Sequence, residues 1–234
     1  MPARIWFVVP AAGASRRLGG STPKQYLPLA GRSVIEHTLG ILISHSGIAG
    51  GVVVLAPEDR DWRELPAQLR DAVSTAIGGR ERCHSVLAGL QALKSASEDD
   101  WVVVHDAARP CLPASDLQRL IDACSSDPVG GLLAVPVADT LKRGDGAGRV
   151  AKTVARDRLW RAQTPQMFRL GQLTRALDRA IAAGEAPGDE ATAMEAAGLK
   201  PLLVEGSPLN IKITHPADLE FAVNVLGSRG EAGR

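Results

Sequence analysis

The sequence predicts an α/β fold in which helices cover both faces of a mostly parallel, twisted β-sheet. Short apolar runs alternate with segments of helical periodicity, which is typical of such a sheet. The chain has 234 residues, enough for one large domain with a full hydrophobic core. No internal repeat or domain linker interrupts the alternation. A single domain over residues 1–234 is therefore expected.

The apolar runs predict the strands, and the periodic segments predict the helices. Strands are expected at residues 5–9, 51–56, 73–77, 101–105, 130–137 and near 201–205. Ser33-Val34-Ile35-Glu36 has the spacing of a capping box, so the first helix should begin there. Further helices are predicted over 81–94, from Pro113, over 169–183 and 188–198, and from Pro216. Residues 227–234 are expected to fray.

Residues 138–163 differ from the rest of the chain. Two alternating runs, 138–143 and 149–154, flank a turn rich in glycine and aspartate, which predicts a β-hairpin. Its sides are basic and only partly apolar, so the hairpin should protrude as an arm. A lone hairpin is marginally stable in water, and another surface should hold it. A flexible surface insertion is the alternative.

Composition limits the classes of function. The 27 basic and 26 acidic residues give a net charge of +1, and the chain has few aromatic residues, so neither a nucleic-acid nor a membrane surface is indicated. The three cysteines lack C-x-x-C spacing, which argues against disulfides and zinc and fits a reducing cytosol. The first residues lack a signal-peptide pattern, so a soluble cytoplasmic protein is expected.

The first predicted strand breaks into a loop of small residues, Pro10-Ala11-Ala12-Gly13-Ala14, followed by Arg16, Arg17 and Lys24. Small residues let backbone N–H groups approach an anion, and the cations can hold phosphate oxygens. Neither a Walker A loop nor a G-x-G-x-x-G fingerprint is present. The pattern predicts a site for a nucleoside triphosphate; the alternative is an ordinary turn with solvated arginines.

A carboxylate follows the fourth predicted strand. Ligands of parallel sheets bind beyond the carboxyl ends of the strands, where Asp106 should lie. A carboxylate beside a triphosphate needs a cation between them, so Asp106 is the candidate ligand for Mg²⁺, directly or through water. A turn aspartate that caps local amides is the alternative. His105 fits a packed, hydrogen-bonded residue better than a catalyst.

These motifs resemble the sugar-phosphate nucleotidyltransferases, and most closely the family of 2-C-methyl-D-erythritol 4-phosphate cytidylyltransferases. The resemblance covers nearly the whole chain. It extends beyond the first loop to residues 78–86, 104–110, 139–143, 164–166 and 210–214. It implies a Rossmann-like nucleotidyltransferase domain that transfers a cytidylyl group from CTP in isoprenoid precursor synthesis. It also implies a homodimer in which the 138–163 arm embraces the second subunit.

The resemblance also implies roles for individual residues. The nucleotide would be bound by Pro10, Ala11, Ala12, Gly13, Gly79, Ser85, Asp106 and Ala107, with Gly79 and Ser85 at the cytosine. Arg17 and Lys24 would stabilise the transition state, supported by Arg16 and Arg109. The attacking sugar phosphate would be bound by Arg109, Thr140, Arg156, Thr164 and Lys212, of which Arg156 and Lys212 orient it. Arg156 would act across the dimer.

The chain departs from the family pattern at two positions. Arg80 stands where the family often has an acidic residue, and Gly188 where it commonly has threonine. Three alternatives remain open at this level. They are transfer to ribitol 5-phosphate, which Ala108 disfavours, a glycosyltransferase, and a non-catalytic nucleotide-binding dimer. Glycosyltransferases generally use an Asp-x-Asp metal motif, which is expected to be absent from this chain.

Overall fold

The computed structural model describes residues 3–13 and 22–231, with the backbone alone for the last two of these. Its strands are β1 (Ile5–Pro10), β2 (Pro28–Leu29), β3 (Arg32–Ser33), β4 (Ile48–Leu55), β5 (Ser74–Ile77), β6 (Trp101–Val104), β7 (Gly130–Pro136), β8 (Leu141–Gly144), β9 (Val150–Val154), β10 (Trp160–Arg169) and β11 (Leu202–Glu205). Its helices are α1 (Val34–Ile43), α2 (Ala67–Asp71), α3 (Arg82–Ala92), α4 (Ala114–Ser125), α5 (Leu170–Ala182), α6 (Glu190–Ala196) and α7 (Pro216–Glu231). Lys24–Tyr26 and Asp61–Glu64 form short 3-10 helices.

Seven strands of the described residues form one sheet in the order β11-β7-β10-β6-β1-β4-β5. β1 pairs in parallel with β4 and β6, β4 with β5, and β11 with β7. β10 runs antiparallel between β6 and β7. The α/β fold with a mostly parallel sheet is therefore confirmed.

The long strand β10 is not predicted from the sequence, and neither are the short elements β2, β3 and α2. Residues up to 163 are predicted to belong to the arm, and the next helix is predicted to begin at residue 169. Pro165 obscures the strand, since a proline argues against a central strand. In the structure Pro165 lies between Ala162 and Gln166, where the register against β7 shifts. A proline is tolerated at such an irregularity because no ladder N–H is needed there.

The hydrophobic core lies on both faces of the sheet. Side chains alternate along a strand, so Phe7 and Val9 of β1 belong to one core cluster and Val8 to the other. α1 and α4 cover the first face, with Leu39 and Leu117 fully buried, while α3 and α5 cover the second. Each fully buried side chain of this kind stabilises the fold by about 1.5–3 kcal/mol. This packing makes the sheet a rigid base for the loops at its edges.

The start of α1 and the end of α7 can be compared with the predicted helix bounds. Glu36 accepts hydrogen bonds from the backbone N–H of Ser33 at 2.6 Å and from its hydroxyl at 2.7 Å. The predicted capping box at the start of α1 is therefore confirmed. α7 continues to Glu231, so residues 227–231 are helical, and fraying of the tail stays a prediction. None of the helices in residues 3–13 and 22–231 is long and apolar enough to cross a membrane.

The segment after β7 forms an antiparallel hairpin. β8 and β9 pair with each other in a sheet of their own. The Asp145 carboxylate closes the turn by accepting from the N–H groups of Ala147 at 2.9 Å and Arg149 at 2.8 Å. Most side chains of the two strands are exposed, and Val150 is 64% exposed. The hairpin thus has little core of its own, and its role in dimerisation stays a prediction.

Candidate active site

Three of the segments that the sequence singles out meet at one edge of the sheet. β1, β5 and β6 all run in the same direction, and residues 10–13, 78–79 and 105–106 lie at their carboxyl ends. A cavity of about 300 Å³ lies there, as expected for an open parallel sheet. The sequence-predicted residues in its lining are Pro10, Ala11, Ala12, Gly13, Lys24, Gly79, Ser85, Asp106, Ala107 and Lys212.

Close contacts that require small residues fix the floor of this cavity. A Cβ added to Gly78 would lie 2.5 Å from the Cβ of Ala12 and 2.7 Å from Oγ of Ser85, so glycine is required at this position. The Ala11 N–H donates to β4 at 2.8 Å, and Gln25 Nε2 donates to the Ala11 carbonyl at 2.7 Å. The described part of the phosphate loop is thereby held against the sheet.

The Ser85 hydroxyl is oriented at the wall of the cavity. It accepts from the Gly79 N–H at 3.2 Å and donates to the Glu81 carbonyl at 3.3 Å. Ser85 is buried by the protein and still lines the cavity. A ligand that reaches this wall would meet a hydroxyl whose direction is already set.

The cations of the first loop divide into two groups. Arg16 and Arg17 lie outside the described residues. Lys24 is described and lines the cavity, and its Nζ donates to the Ile213 carbonyl at 3.1 Å. This bond connects the segment after the phosphate loop to residues 209–214. Two motifs that are far apart in the chain thus meet at one cavity.

Asp106 stands at the centre of an ion cluster. Its Oδ1 lies 3.1 Å from Arg82 Nε. Its Oδ2 lies 3.0 Å from Lys212 Nζ and 3.4 Å from Arg109 Nε. Burial alone would raise the pKa of Asp106, but attraction by Arg82, Lys212 and Arg109 holds the pKa well below its usual range. The carboxylate is therefore ionised throughout the physiological pH range.

Arg82 and Glu190 form a buried ion pair that the sequence analysis does not assign to the site. Arg82 Nη1 and Nη2 lie 2.6 and 3.2 Å from the two Glu190 carboxylate oxygens, and Glu190 is 1% exposed. The two acidic neighbours, Glu190 and Asp106, raise the pKa of Arg82 despite its burial. The sequence offers one signal for this pair, since Arg82 begins α3 and Glu190 begins α6. Their pairing depends on a tertiary contact across 108 positions.

A second cavity adjoins the first. It measures about 330 Å³ and shares Arg82, Asp106 and Lys212 with the nucleotide-side cavity. Three of the predicted sugar-phosphate residues, Arg109, Thr164 and Lys212, line it. Its remaining lining residues are mostly polar and come from β10 and the start of α6. The ion cluster around Asp106 therefore stands where the two cavities meet.

Thr164 and His105 form the support beneath Asp106. The Thr164 hydroxyl accepts from the Asp106 N–H at 3.0 Å and contacts Nδ1 of His105 at 2.9 Å. Nε2 of His105 lies 3.2 Å from the Arg109 carbonyl. His105 is fully buried, and burial lowers its pKa to about 4. It is a packed, hydrogen-bonded residue, in line with the interpretation from the sequence.

Two predicted residues, Arg156 and Thr140, lie apart from both cavities of the single chain. Arg156 is exposed near the base of the hairpin and donates to the Ala138 carbonyl. Thr140 is exposed just before β8. A single described chain thus does not bring these two side chains to Lys212 and Asp106.

The two departures from the family pattern are both at the site. The Arg80 side chain lines the first cavity and is 91% exposed, with Glu81 at 3.9 Å. Gly188 lines the second cavity, and a Cβ added to it would meet nothing within 4 Å. The position at Gly188 therefore has room for the threonine side chain that the family commonly carries.

The single carboxylate of Asp106 fits a Mg²⁺ site that is completed by substrate phosphates. No group of three or more His, Cys, Asp or Glu side chains that could hold a metal ion occurs within the described ranges. Asp106 supplies a single carboxylate between the two cavities, and Mg²⁺ is commonly bound by one or two carboxylates together with substrate phosphates. The expected absence of an Asp-x-Asp motif is wrong, because residues 59–61 have this spacing, but the triplet serves another purpose. Asp59 accepts hydrogen bonds from the Tyr26 hydroxyl and the Trp62 N–H, and no residue of the triplet lines either cavity.

Comparison with known proteins decides the family. The family model described as 2-C-methyl-D-erythritol 4-phosphate cytidylyltransferase matches residues 5–228. The chain belongs to this cytidylyltransferase family. A relative of that name from Ectopseudomonas mendocina (strain ymp) is 55% identical over 223 residues, which cover 94% of this chain and 95% of the relative. Another, from Stenotrophomonas maltophilia (strain R551-3), is 51% identical over 230 residues, which cover 98% and 99% of the two chains.

Solved structures agree with this assignment. The crystal structure of a 4-diphosphocytidyl-2C-methyl-D-erythritol synthase is similar with a TM-score of 0.85 and 40% identity, covering 97% of this chain and 99% of that one. The Francisella tularensis 2-C-methyl-D-erythritol 4-phosphate cytidylyltransferase has a TM-score of 0.83 and 36% identity, covering 95% and 100%. The resemblance inferred from the sequence is confirmed, and the chain is an enzyme of the nucleotidyltransferase class. Membership in this cytidylyltransferase family disfavours the glycosyltransferase and non-catalytic alternatives.

Proposed function

We propose that the protein transfers a cytidylyl group from CTP to 2-C-methyl-D-erythritol 4-phosphate in isoprenoid precursor biosynthesis. The products are 4-diphosphocytidyl-2-C-methyl-D-erythritol and pyrophosphate. The observation that carries the proposal is the pair of cavities that share Arg82, Asp106 and Lys212. Transfer between two bound phosphates requires two sites that meet at the reacting atoms. Membership in the cytidylyltransferase family supports the identity of both substrates.

In this proposal the first cavity binds CTP. The backbone of Pro10–Gly13 and Ala107 surrounds the nucleotide, and Gly79 and Ser85 face the cytosine edge. Lys24 and Arg17 hold the triphosphate, since ammonium and guanidinium groups stabilise the charge that develops on its oxygens. The position of Lys24 in the cavity lining supports its part in this arrangement.

The second cavity binds the sugar phosphate, with Arg109, Lys212 and Thr164 as its ligands. A phosphate oxygen of the acceptor attacks the α-phosphorus of CTP in line. The bond from that phosphorus to the bridging oxygen of the β-phosphate breaks, and pyrophosphate leaves with the electron pair. The nucleophile is already an anion, so positioning and charge stabilisation suffice without a general base.

Mg²⁺ is the proposed cofactor, and Asp106 is the residue that would hold it together with triphosphate oxygens. When bound, the ion neutralises charge on the phosphates of the nucleotide. Asp106 is suited to this role because its neighbouring cations keep it ionised. Lys212 is the cluster member best able to leave Asp106 for the acceptor phosphate, since its side chain is 39% exposed, against 12% for Arg109.

We further propose a homodimer in which the 138–163 arm reaches the partner's site and supplies Arg156 and Thr140. The exposure of the hairpin and the separation of Arg156 from the cavities of its own chain support this proposal. The proposed location is the cytoplasm, which fits the buried free thiols of Cys83, Cys111 and Cys124.

Pyrophosphate release tests the function directly. The purified protein is supplied with CTP and Mg²⁺, and with either 2-C-methyl-D-erythritol 4-phosphate or ribitol 5-phosphate. Turnover with the first acceptor alone is the expected result. Turnover with ribitol 5-phosphate alone would overturn the acceptor assignment, and no turnover with either would overturn the proposed activity.

Mixing two inactive variants tests the arm. If Arg156 acts across the dimer, a heterodimer of Arg156→Ala and Lys24→Ala subunits contains one intact site. Random reassociation should then restore about one quarter of wild-type turnover. If Arg156 acts within its own chain, both sites of the heterodimer are defective, and mixing restores nothing.

A further inference from the structure

Glu190 lies behind the junction of the two cavities and lines neither of them in the described part of the chain. We infer that Glu190, acting through Arg82, is a positioning residue that fixes Asp106 where the two cavities meet. The inference rests on the proposed function, because the junction matters only if the two cavities bind the two reacting phosphates. It assigns a role to a pair of residues that the sequence analysis leaves out of the site.

The geometry of Arg82 links the two carboxylates. A guanidinium group is a rigid planar fork with five N–H donors. Glu190 takes both terminal nitrogens, at 2.6 and 3.2 Å, which leaves Nε directed at Asp106 Oδ1 at 3.1 Å. Because Glu190 is 1% exposed and fixed at the start of α6, the direction of that Nε–H follows from its position. Arg82 thereby holds Oδ1 of Asp106, while Glu190 fixes the guanidinium group of Arg82 through both terminal nitrogens.

The other oxygen of Asp106 faces the cations that the acceptor phosphate needs. Oδ2 contacts Lys212 at 3.0 Å and Arg109 at 3.4 Å. Without the Arg82 contact, the carboxylate can turn and pair fully with these two cations. That pairing would neutralise the charge intended for substrate phosphates. Through Arg82, Glu190 therefore keeps Oδ1 of Asp106 occupied. Lys212 then stays able to exchange Asp106 for the acceptor phosphate.

A purely structural role for Glu190 is the competing explanation. α6 does not need Glu190 as its cap, because the Asp189 carboxylate already accepts from the Thr192 N–H at 2.9 Å. A buried ion pair is also weak evidence for stabilisation, since desolvation offsets much of the attraction. These points favour positioning, and they make the two roles separable by experiment.

A double-mutant cycle between Glu190→Gln and Asp106→Asn separates them. In the wild-type background, Glu190→Gln should lower kcat about 10–100-fold, as loss of an orienting partner commonly does. In the Asp106→Asn background, the same substitution should change kcat by less than about threefold, because the residue it orients is already altered. Equal losses in both backgrounds, or no loss in the first, would overturn the inference.

A binding measurement keeps this test independent of the proposed reaction. The dissociation constant of CTP with Mg²⁺ is measured by calorimetry for the same four proteins, and Glu190→Gln should weaken binding only where Asp106 is present. If the wild type turns over no sugar phosphate, the proposed function fails, and the calorimetric cycle still decides the role of Glu190. Equal weakening in both backgrounds, or unchanged affinity, would count against positioning.

Two further variants control for folding. Arg175→Gln breaks the exposed 2.7 Å ion pair with Glu98, neither residue of which lines either cavity, and should leave kcat and affinity unchanged. The pair Arg82→Met and Glu190→Met removes both charges together, which avoids an unpaired buried charge if Glu190→Gln does not fold. Turnover of this double variant should stay at least about tenfold below wild type. Full activity would assign Glu190 a structural role.

Discussion

The hydroxyl of Thr164 allows a prediction whose size follows from the structure. Thr164 is buried, and its oxygen accepts from the Asp106 N–H at 3.0 Å. Nε2 of His105 faces the Arg109 carbonyl at 3.2 Å, and a carbonyl only accepts, so Nε2 carries the proton of the neutral ring. Nδ1 is then an acceptor for the Thr164 hydroxyl at 2.9 Å. One hydroxyl therefore satisfies a buried donor and a buried acceptor.

Thr164→Val preserves the shape of the side chain and leaves both partners unsatisfied. Each buried polar group left without a partner costs about 1–3 kcal/mol, so the free energy of unfolding should fall by about 2–6 kcal/mol. That is a large part of the 5–15 kcal/mol, approximately, that stabilises a typical domain. Thr164→Ser keeps the hydroxyl and removes one methyl group, which should cost only about 1 kcal/mol. Displacement of Asp106 should also lower kcat in the valine variant.

Urea unfolding at neutral pH measures the difference between these two variants. Thr174→Val is the matched control, because that hydroxyl donates to a carbonyl within its own helix at 2.8 Å and is not fully buried. Its cost should stay below about 1 kcal/mol. If the free energies of unfolding of Thr164→Val and Thr164→Ser differ by less than about 1 kcal/mol, the hydroxyl does not satisfy both buried partners.

Three more predictions concern charge and space. Lys24→Ala should reduce turnover by about two to four orders of magnitude, because a preorganised charge is lost. Lys200→Ala is the control, since this lysine is exposed, and it should leave turnover unchanged. Near-normal turnover of Lys24→Ala would contradict a role for Lys24 in binding the triphosphate. Gly188→Thr should fold normally, because its Cβ meets nothing within 4 Å. The added hydroxyl should lower the KM for the sugar phosphate about two- to fivefold. An unchanged KM would indicate that the hydroxyl does not contact this substrate. Burial opposes ionisation of Asp100, but hydrogen bonds from backbone N–H groups and from the Trp6 indole outweigh it and lower its pKa to about 2. Because the unfolded pKa is about 3.9, the stabilisation from Asp100 is complete above that pH and is lost as pH falls towards 2. Asp100→Asn should flatten this part of the stability curve, and an unchanged slope in urea titrations between about pH 4 and 2 would refute the argument.

The sequence predicted the elements whose signal is local. β1 and β6 are short apolar runs, and parallel strands bring their carboxyl ends to one edge, so a cavity beside Asp106 could be expected. The cap of α1 depends on residues three positions apart and was predicted for the same reason. Arg16 and Arg17 lie outside the described residues, and their assignment stays a prediction.

Features that depend on tertiary contact were not predictable in the same way. β10 carries a proline at a point where its register shifts, and only pairing with both neighbouring strands makes it a strand. The contact between Arg82 and Glu190 joins residues 108 positions apart, and each residue alone looks like an ordinary charge at a helix start. A buried glutamate is unusual enough to indicate such a partner, but burial itself follows from the fold.

The small net charge of the chain is compatible with two highly anionic substrates because the charges at the site are unevenly balanced. Arg82, Arg109 and Lys212 face Asp106 and Glu190, so the cluster between the cavities keeps one excess positive charge, with Lys24 nearby. Arg82 is committed to both carboxylates and Arg109 also donates to the Asn210 carbonyl at 2.7 Å. Lys212 is the most exposed of the three cations that pair with Asp106. Its compact ammonium group can move from a carboxylate to a phosphate because the side chain is flexible. The fixed arginines therefore define the junction, and the lysine supplies the charge that responds to the substrate.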